Sequence, residues 1–328
     1  MGVNPSMARR VFRPTFQLSL FETKSKFPNA IRNFWFLATS EVYSQLMIQL
    51  LNPGGDCLTE TTLEELRDSK DKATDAFWID LLNPEPEEEQ FIEKTLEVNI
   101  PSREEMAELE ASSRLFSEDG TIYLSCWLLS FESPIPINTS VAFVVTEKQF
   151  VSIRYSDHHA FRIFKNAGSR LQSRRFRHSN DALVELIEAV VGQIASTLRV
   201  VEQDLNSLSV EIFAEQHAQR KQVKRLGLKR MVQRLGKQNS LIASLRESSV
   251  SLAALTSYFL ENGKGHLQPG VTARLKTVEQ DIGSLRQYDA ELSSEVGFLL
   301  DSTVGLINFE QNQSMKVLSV AAVLVAFI

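Results

Sequence analysis

Four side chains near the end of the chain are placed to do chemistry: Asp301, Asn308, Asn312 and Ser314, a carboxylate, two amides and a hydroxyl on successive turns. If several copies of this stretch surround an axis, each position becomes a ring of oxygen and amide groups that can replace or hold the water shell of a cation. The residues that follow, Val317 to Ile328, contain neither a charge nor a turn former and read as the start of a membrane span. Those twelve residues reach about 18 Å as helix, short of a hydrocarbon core of roughly 30 Å, so further chain is expected to complete the span.

A second polar residue stands out against its neighbours. Asp289 falls in the seam between Leu285 and Leu292, where a heptad wants an apolar side chain; a buried polar group there sets register or meets an ion. Catalytic constellations are missing. The fourteen glycines form neither GxGxxG nor a phosphate loop, and HExxH and GxSxG are absent, so an enzyme reading has no support. Glu87-Glu88-Glu89 and Glu104-Glu105 open polar helices, where capping and the helix dipole explain them. Cys57 and Cys126 lack CxxC spacing, which points to a reducing compartment rather than a zinc site or a disulfide framework. His158 and His159 point apart on any regular element, and a solvated loop is favoured over a shared metal.

The elements that position these residues form an α+β chain. Its net charge of −6 argues against nucleic acid as a partner, because no basic excess is available to neutralise phosphates. Residues 1–46 show no periodicity and read as a poorly ordered extension. Residues 47–165 read as a small mixed-sheet α/β unit: strands at Met47–Leu51, Phe77–Leu82, Thr121–Phe131, Ser140–Val145 and Gln149–Arg154, with helices from Glu85 and from the capping box Ser102/Glu105. Residues 166–316 read as helical, the last helix a stalk whose apolar residues recur in steps of three and four from Leu275 to Leu306. The segment 317–328 is the incomplete span. A basic run from Arg220 to Arg234 invites a lipid or nucleic-acid reading, but a solvated face offsetting Glu202, Asp204, Glu211 and Glu215 of the preceding helix is favoured.

The stretch Gly305-Leu306-Ile307-Asn308-Phe309-Glu310-Gln311-Asn312-Gln313-Ser314-Met315-Lys316-Val317-Leu318-Ser319-Val320-Ala321-Ala322-Val323 resembles the junction of stalk and first transmembrane helix in the CorA family of magnesium transporters. Leu299-Leu300-Asp301, Leu245-Arg246-Glu247-Ser248, Asp204-Leu205-Asn206-Ser207-Leu208 and Ile100-Pro101-Ser102-Arg103-Glu104-Glu105-Met106 extend the resemblance over residues 47–328. It implies a homopentameric channel in the inner or plasma membrane, this chain mostly cytoplasmic, carrying Mg2+ and also Co2+ and Ni2+, with a funnel that senses internal Mg2+. On this resemblance Asp301, Asn312, Met315 and Leu318 line the pore, the last two as an apolar constriction, and Lys316 joins a basic ring outside it. Regulatory Mg2+ would bridge protomers through Glu105 and a stalk carboxylate; the stalk position falls on Thr277, leaving Glu279, Asp281 or, further along, Asp289. The family's Gly-Met-Asn signature and second transmembrane helix are absent, so the chain alone is expected not to conduct. The alternatives are the zinc-transporting branch of the family and a soluble helical scaffold, which needs no polar ring before the apolar run.

Overall fold

The computed structural model describes residues 47–326 except 56, 109–113, 134, 166–175, 177, 215–220 and 264–266, all within the compact unit Glu41–Ile328. The extension expected over residues 1–46 lies outside the described residues, as do Glu215, Arg220 and the last two residues of the apolar run.

Seven strands form one sheet: β1 (Met47–Leu51), β2 (Thr59–Thr61), β3 (Trp78–Leu82), β4 (Leu115–Glu118), β5 (Thr121–Ser130), β6 (Ile137–Val145) and β7 (Phe150–Arg154). Their order is β2-β1-β3-β7-β6-β5-β4. The central pair β3 and β7 is parallel, and every other pair is antiparallel. Thr146 closes the hairpin between β6 and β7, its hydroxyl donating to the Gln149 carbonyl and accepting from the Gln149 amide. The sequence pattern does not predict β2 or β4. They are the two edges of the sheet, short and largely solvent-facing, so they lack the apolar alternation that marks the inner strands.

Successive residues of a strand face opposite sides, and here both sides are buried. One side, with Ile48, Leu50, Ile79, Leu81, Val144, Val151 and Ile153, packs on α1 (Leu63–Asp68), α2 (Asp71–Asp75), α3 (Pro86–Leu96) and α4 (Arg103–Met106) through Leu66, Ala73, Ile92 and Met106. Helix α3 starts with Pro86 behind a Glu85/Glu88 capping box and ends at left-handed Glu97, φ 54°. The other side, with Trp78, Leu124, Val141, Phe143 and Phe150, meets α5 (His159–Lys165), α6 (Ser179–Ala214), α7 (Lys221–Asn262) and α8 (Pro269–Ala326). One continuous apolar core therefore runs from the sheet along the helices to Leu299 of α8.

Three arginines pin the three long helices to one another. Arg234 of α7 reaches Asp204 and Glu211 of α6, at 2.6 and 3.1 Å. Arg274 of α8 holds Glu185 of α6 at 2.6 Å and Glu188 at 2.8 Å. Arg246 of α7 grips Asp289 of α8 through Nε at 3.0 Å to both carboxylate oxygens, and its Nη2 also donates to Ser293 at 2.7 Å. The Arg234 contacts agree with the expectation that basic residues here offset acids on the preceding helix.

Asp289 is held as a residue that sets register would be. Its side chain is 3% exposed and both oxygens are engaged by the guanidinium. Removing one partner of such a pair strands the other. Arg246→Ala is expected to cost about 2 kcal/mol, since Arg246 itself is half-exposed and water reaches part of the site; Arg246→Met with Asp289→Leu should recover most of that. Urea midpoints of the three proteins give the comparison.

Candidate functional site

Helix α8 is 58 residues long, about 87 Å at 1.5 Å per residue. Its buried side runs through Leu275, Val278, Ile282, Asp289, Leu292, Val296 and Leu299 to Thr303. Past Thr303 only Leu306, Ile307 and Glu310 are partly covered, and every residue from 311 to 323 is exposed. The helix outruns the bundle that supports it, and the predicted polar residues stand on this bare part.

At about 100° per residue, Asp301, Asn308 and Asn312 lie roughly 140 to 180° around α8 from Thr303. They occupy the side facing away from the bundle, one above another. Met315 follows at about 120° and Leu318 at about 60°, so the stripe drifts around the helix as it turns apolar. Asp301, Asn308, Asn312, Met315, Lys316 and Leu318 are all exposed, with Met315 at 66% and Leu318 at 69%. Ser314 donates to the Glu310 carbonyl at 2.9 Å and so stays with its own helix. Among the described residues nothing covers this stripe. Among the described residues no helix is long and apolar enough to cross a membrane.

The carboxylates expected to hold a regulatory ion are spread along the molecule. Glu105 is exposed on α4 and caps it, accepting from the Ser102 amide at 2.8 Å and the Ser102 hydroxyl at 2.9 Å. Glu279 accepts a short hydrogen bond from Ser257 of α7. Asp281 is exposed on α8, and Thr277 donates to the Ala273 carbonyl at 3.2 Å. Among the described residues no group of three His, Cys, Asp or Glu side chains is placed to hold a metal ion.

Two acids between α6 and α8 went unnoticed in the sequence. Glu295 of α8 is pushed above the usual carboxylate range by burial and by Glu202 of α6. Tyr288 is pushed up to about 12 by burial and by its hydrogen bond to the same Glu202. The spacing of Tyr288 and Glu295, two turns apart on one helix, is the only signal the sequence holds, because Glu202 comes from another element.

The histidine expectation is overturned. His158 is 3% exposed, with Nε2 3.0 Å from the Thr139 hydroxyl. Burial and the nearby Arg154 push its pKa down to about 3. Beside it lies a cavity of about 20 Å3 lined by Leu128, Val190, Thr197 and Ser248, space for one water. Leu128 of β5 and Val190 of α6, remote in sequence, line that cavity, so a polar-looking Ser-Asp-His-His segment gives little sign of the burial. Neither Cys57 nor Cys126 is in a disulfide.

Comparison with known proteins fits this geometry. The family profile described as CorA-like Mg2+ transporter protein matches residues 74–326. The magnesium transport protein CorA of Mannheimia succiniciproducens is 27% identical over 265 residues, covering 80% of each chain. That of Escherichia coli K12 is 26% identical over 249 residues, covering 76% of each. Among solved structures, the complete CorA magnesium transporter of Methanocaldococcus jannaschii superposes with a TM-score of 0.65 at 14% identity, over 86% of this chain and 84% of that one. The ZntB cytoplasmic domain of Vibrio parahaemolyticus gives 0.56 at 14% identity, over 80% and 98%. With the profile spanning most of the α/β unit, the bundle and the bare end of α8, the chain belongs to the CorA-like Mg2+ transporter family, whose members are transporters and not enzymes.

Proposed function

We propose that this chain forms the cytoplasmic funnel and the membrane entry of a homopentameric channel for Mg2+, with Co2+ and Ni2+ as further cargo. The observation that carries this reading is the uncovered stripe of Asp301, Asn308 and Asn312 leading into Met315 and Leu318, on the side of α8 turned away from its own bundle. Five such stripes around an axis give rings of carboxylate and amide oxygens followed by rings of apolar side chains. Mg2+ gives up its waters reluctantly, so polar rings suit it as a hydrated ion. An apolar ring beyond them closes by dewetting. Lys316, about 100° from Met315 and about 160° from Leu318, stands outside the apolar part of the file in a basic ring. A scaffold with no transport role gives no reason for amides and a carboxylate to line up on an uncovered face. The likeness to ZntB keeps zinc as the second cargo to test.

The arrangement is checked with one cysteine at a time in a Cys57→Ser, Cys126→Ala background. Asn312→Cys is expected to form disulfide-linked dimers within the assembly on mild oxidation, while Glu310→Cys, on nearly the opposite side of the helix, is not. Sedimentation in detergent should give five times the chain mass. Equal cross-linking at both positions, or a monomeric mass, overturns the reading.

The regulatory ion belongs to the same proposal: Glu105 of one protomer and Asp281 or Glu279 of the next hold Mg2+ between them. Millimolar Mg2+ is then expected to raise the thermal midpoint, because a ligand of the folded assembly stabilises it by mass action. Glu105→Gln and Asp281→Asn should each shrink the shift by more than half, and a shift unchanged in both variants removes the assignment.

A further inference from the structure

Helix α8 carries a second heptad pattern on the side that its own bundle leaves bare. From Gly283 through Gln287, Ala290, Ser294 and Gly297 to Asp301 the steps alternate between four and three, and each of these residues is exposed. Their side chains are small or polar, so this seam does not hold copies together by apolar burial as an ordinary coiled coil does. Contact between copies then falls to the positions that flank the seam, and the two flanks are unlike. Arg286 and Val304 lie about 60° to one side of Asp301, whereas Phe298 and Glu291 lie about 60° and 80° to the other. Phe298 is 61% exposed although Phe213 of α6 stands beside it, and on the opposite flank Val304 is 44% exposed and Leu300 36%.

A groove of about 290 Å3 opens between α7 and α8 on the Arg286 flank, lined by Arg246, Val250, Gly283, Arg286, Gln287 and Asp289. Asp289 is committed to Arg246, so among the described residues Arg286 is the charge that this groove leaves unanswered. On the other flank Glu291 is exposed, and it accepts from Gln287 of its own helix at 3.3 Å. Arg286 and Glu291 are about 140° apart around one helix and do not meet within a chain. Between two parallel copies, one flank faces the other, and such flanking charges form the salt bridges between the helices of a coiled coil.

We infer that the groove at Arg286 is the docking surface for the next copy of this chain, which presents Glu291 to the groove and brings Phe298 toward Leu300 and Val304. This rests on the five-fold assembly proposed above. With Asp301 turned to the axis, a ring of five places each neighbour about 54° to either side of the inward direction, close to where Arg286 and Phe298 stand. Because the flanks differ, the contact runs head to tail and closes into a ring.

Charge reversal in the full chain tests the contact, read by sedimentation in detergent as the concentration at which half of the assembly has dissociated. Arg286→Glu and Glu291→Arg each bring like charges together and are expected to raise that concentration on the order of tenfold. The double reversal should return it to within about threefold of the unaltered chain, because the attraction is restored with its sign exchanged. The milder Arg286→Gln and Glu291→Gln should each raise it about threefold, and the two together no further than either alone, since both remove the same contact. Circular dichroism checks that every variant keeps its helices. Single reversals without effect, or a double reversal in which the two losses add, overturn the inference. A single-chain mass for the unaltered protein removes the assembly and this contact with it, whereas an intact assembly indifferent to both reversals removes the contact alone.

Discussion

Replacing Asp80 by alanine is expected to cost this protein roughly 3 to 5 kcal/mol, a large share of the 5 to 15 kcal/mol typical of a folded domain. Asp80 and Arg154 face each other across the parallel β3/β7 pair on the side of the sheet that meets the long helices. Their side chains are 0% and 3% exposed, and the carboxylate accepts from Arg154 Nη2 at 2.7 Å and Nε at 3.0 Å. Ser152 donates to the same carboxylate at 2.6 Å while accepting from the Trp78 indole at 2.7 Å. The guanidinium also lies over the Phe161 ring, 4.4 Å from its centre, and donates to Ser156 and Asp157. Alanine at 80 leaves an arginine in the core with its main counter-charge gone, and no rotamer takes it to water without dismantling the contact with α5. Urea denaturation should show the loss as a lower midpoint. Asp80→Leu with Arg154→Met should regain at least half, because a pair removed together leaves no buried charge behind. A single alanine that costs under about 1 kcal/mol would mean that the pair is as weak as an exposed one.

Stability is also expected to fall as the solution is acidified below neutrality. The folded imidazole of His158 takes a proton only near pH 3, whereas in the unfolded chain it does so at its ordinary value of about 6.5. The unfolded state therefore binds more protons between these values. The contribution of the neutral histidine is complete above pH 6.5 and is lost progressively as pH drops toward 3, by about 1.4 kcal/mol per unit. Half-buried His159, lowered by desolvation and by Arg162, adds a smaller loss of the same sign. Between pH 7.5 and 5 the unfolding free energy should drop by about 2 kcal/mol on account of His158, and His158→Gln should flatten that slope whatever it does at pH 7.5. A variant with the unaltered slope would show that the proton uptake belongs elsewhere.

What could be read from the sequence was decided by how local the cause was. The inner strands are legible because Val141 to Val145 and Phe150 to Ile153 concentrate β-formers around a three-residue turn. β2 and β4 are not, because edge strands with one exposed face carry ordinary polar residues. The long helices are legible from apolar spacing, and Asp289 from its breach of that spacing. Its partner Arg246, 43 residues earlier, is not, since nothing local ties them. Burial of His158 and the pairing of Asp80 with Arg154, 74 residues apart, are products of the sheet order. The polar stripe on α8 was visible as residue types ahead of an apolar run, and the fold adds that this stripe points away from the bundle. Among the described residues Asp281 and Glu105 belong to no group of three possible metal ligands.

The three arginine contacts that pin α6, α7 and α8 also govern how the molecule can move. Each ties a different pair of helices, so none can slide along another without breaking a charged contact. Sliding being blocked, the bundle responds to force as a lever. For an arm of about 87 Å, a tilt of about 5° at one end swings the other through about 7.5 Å. A small tilt at the sheet end of α8 is thereby converted, by length alone, into a displacement of about 6 Å at Met315 and Leu318, about 70 Å further along the helix.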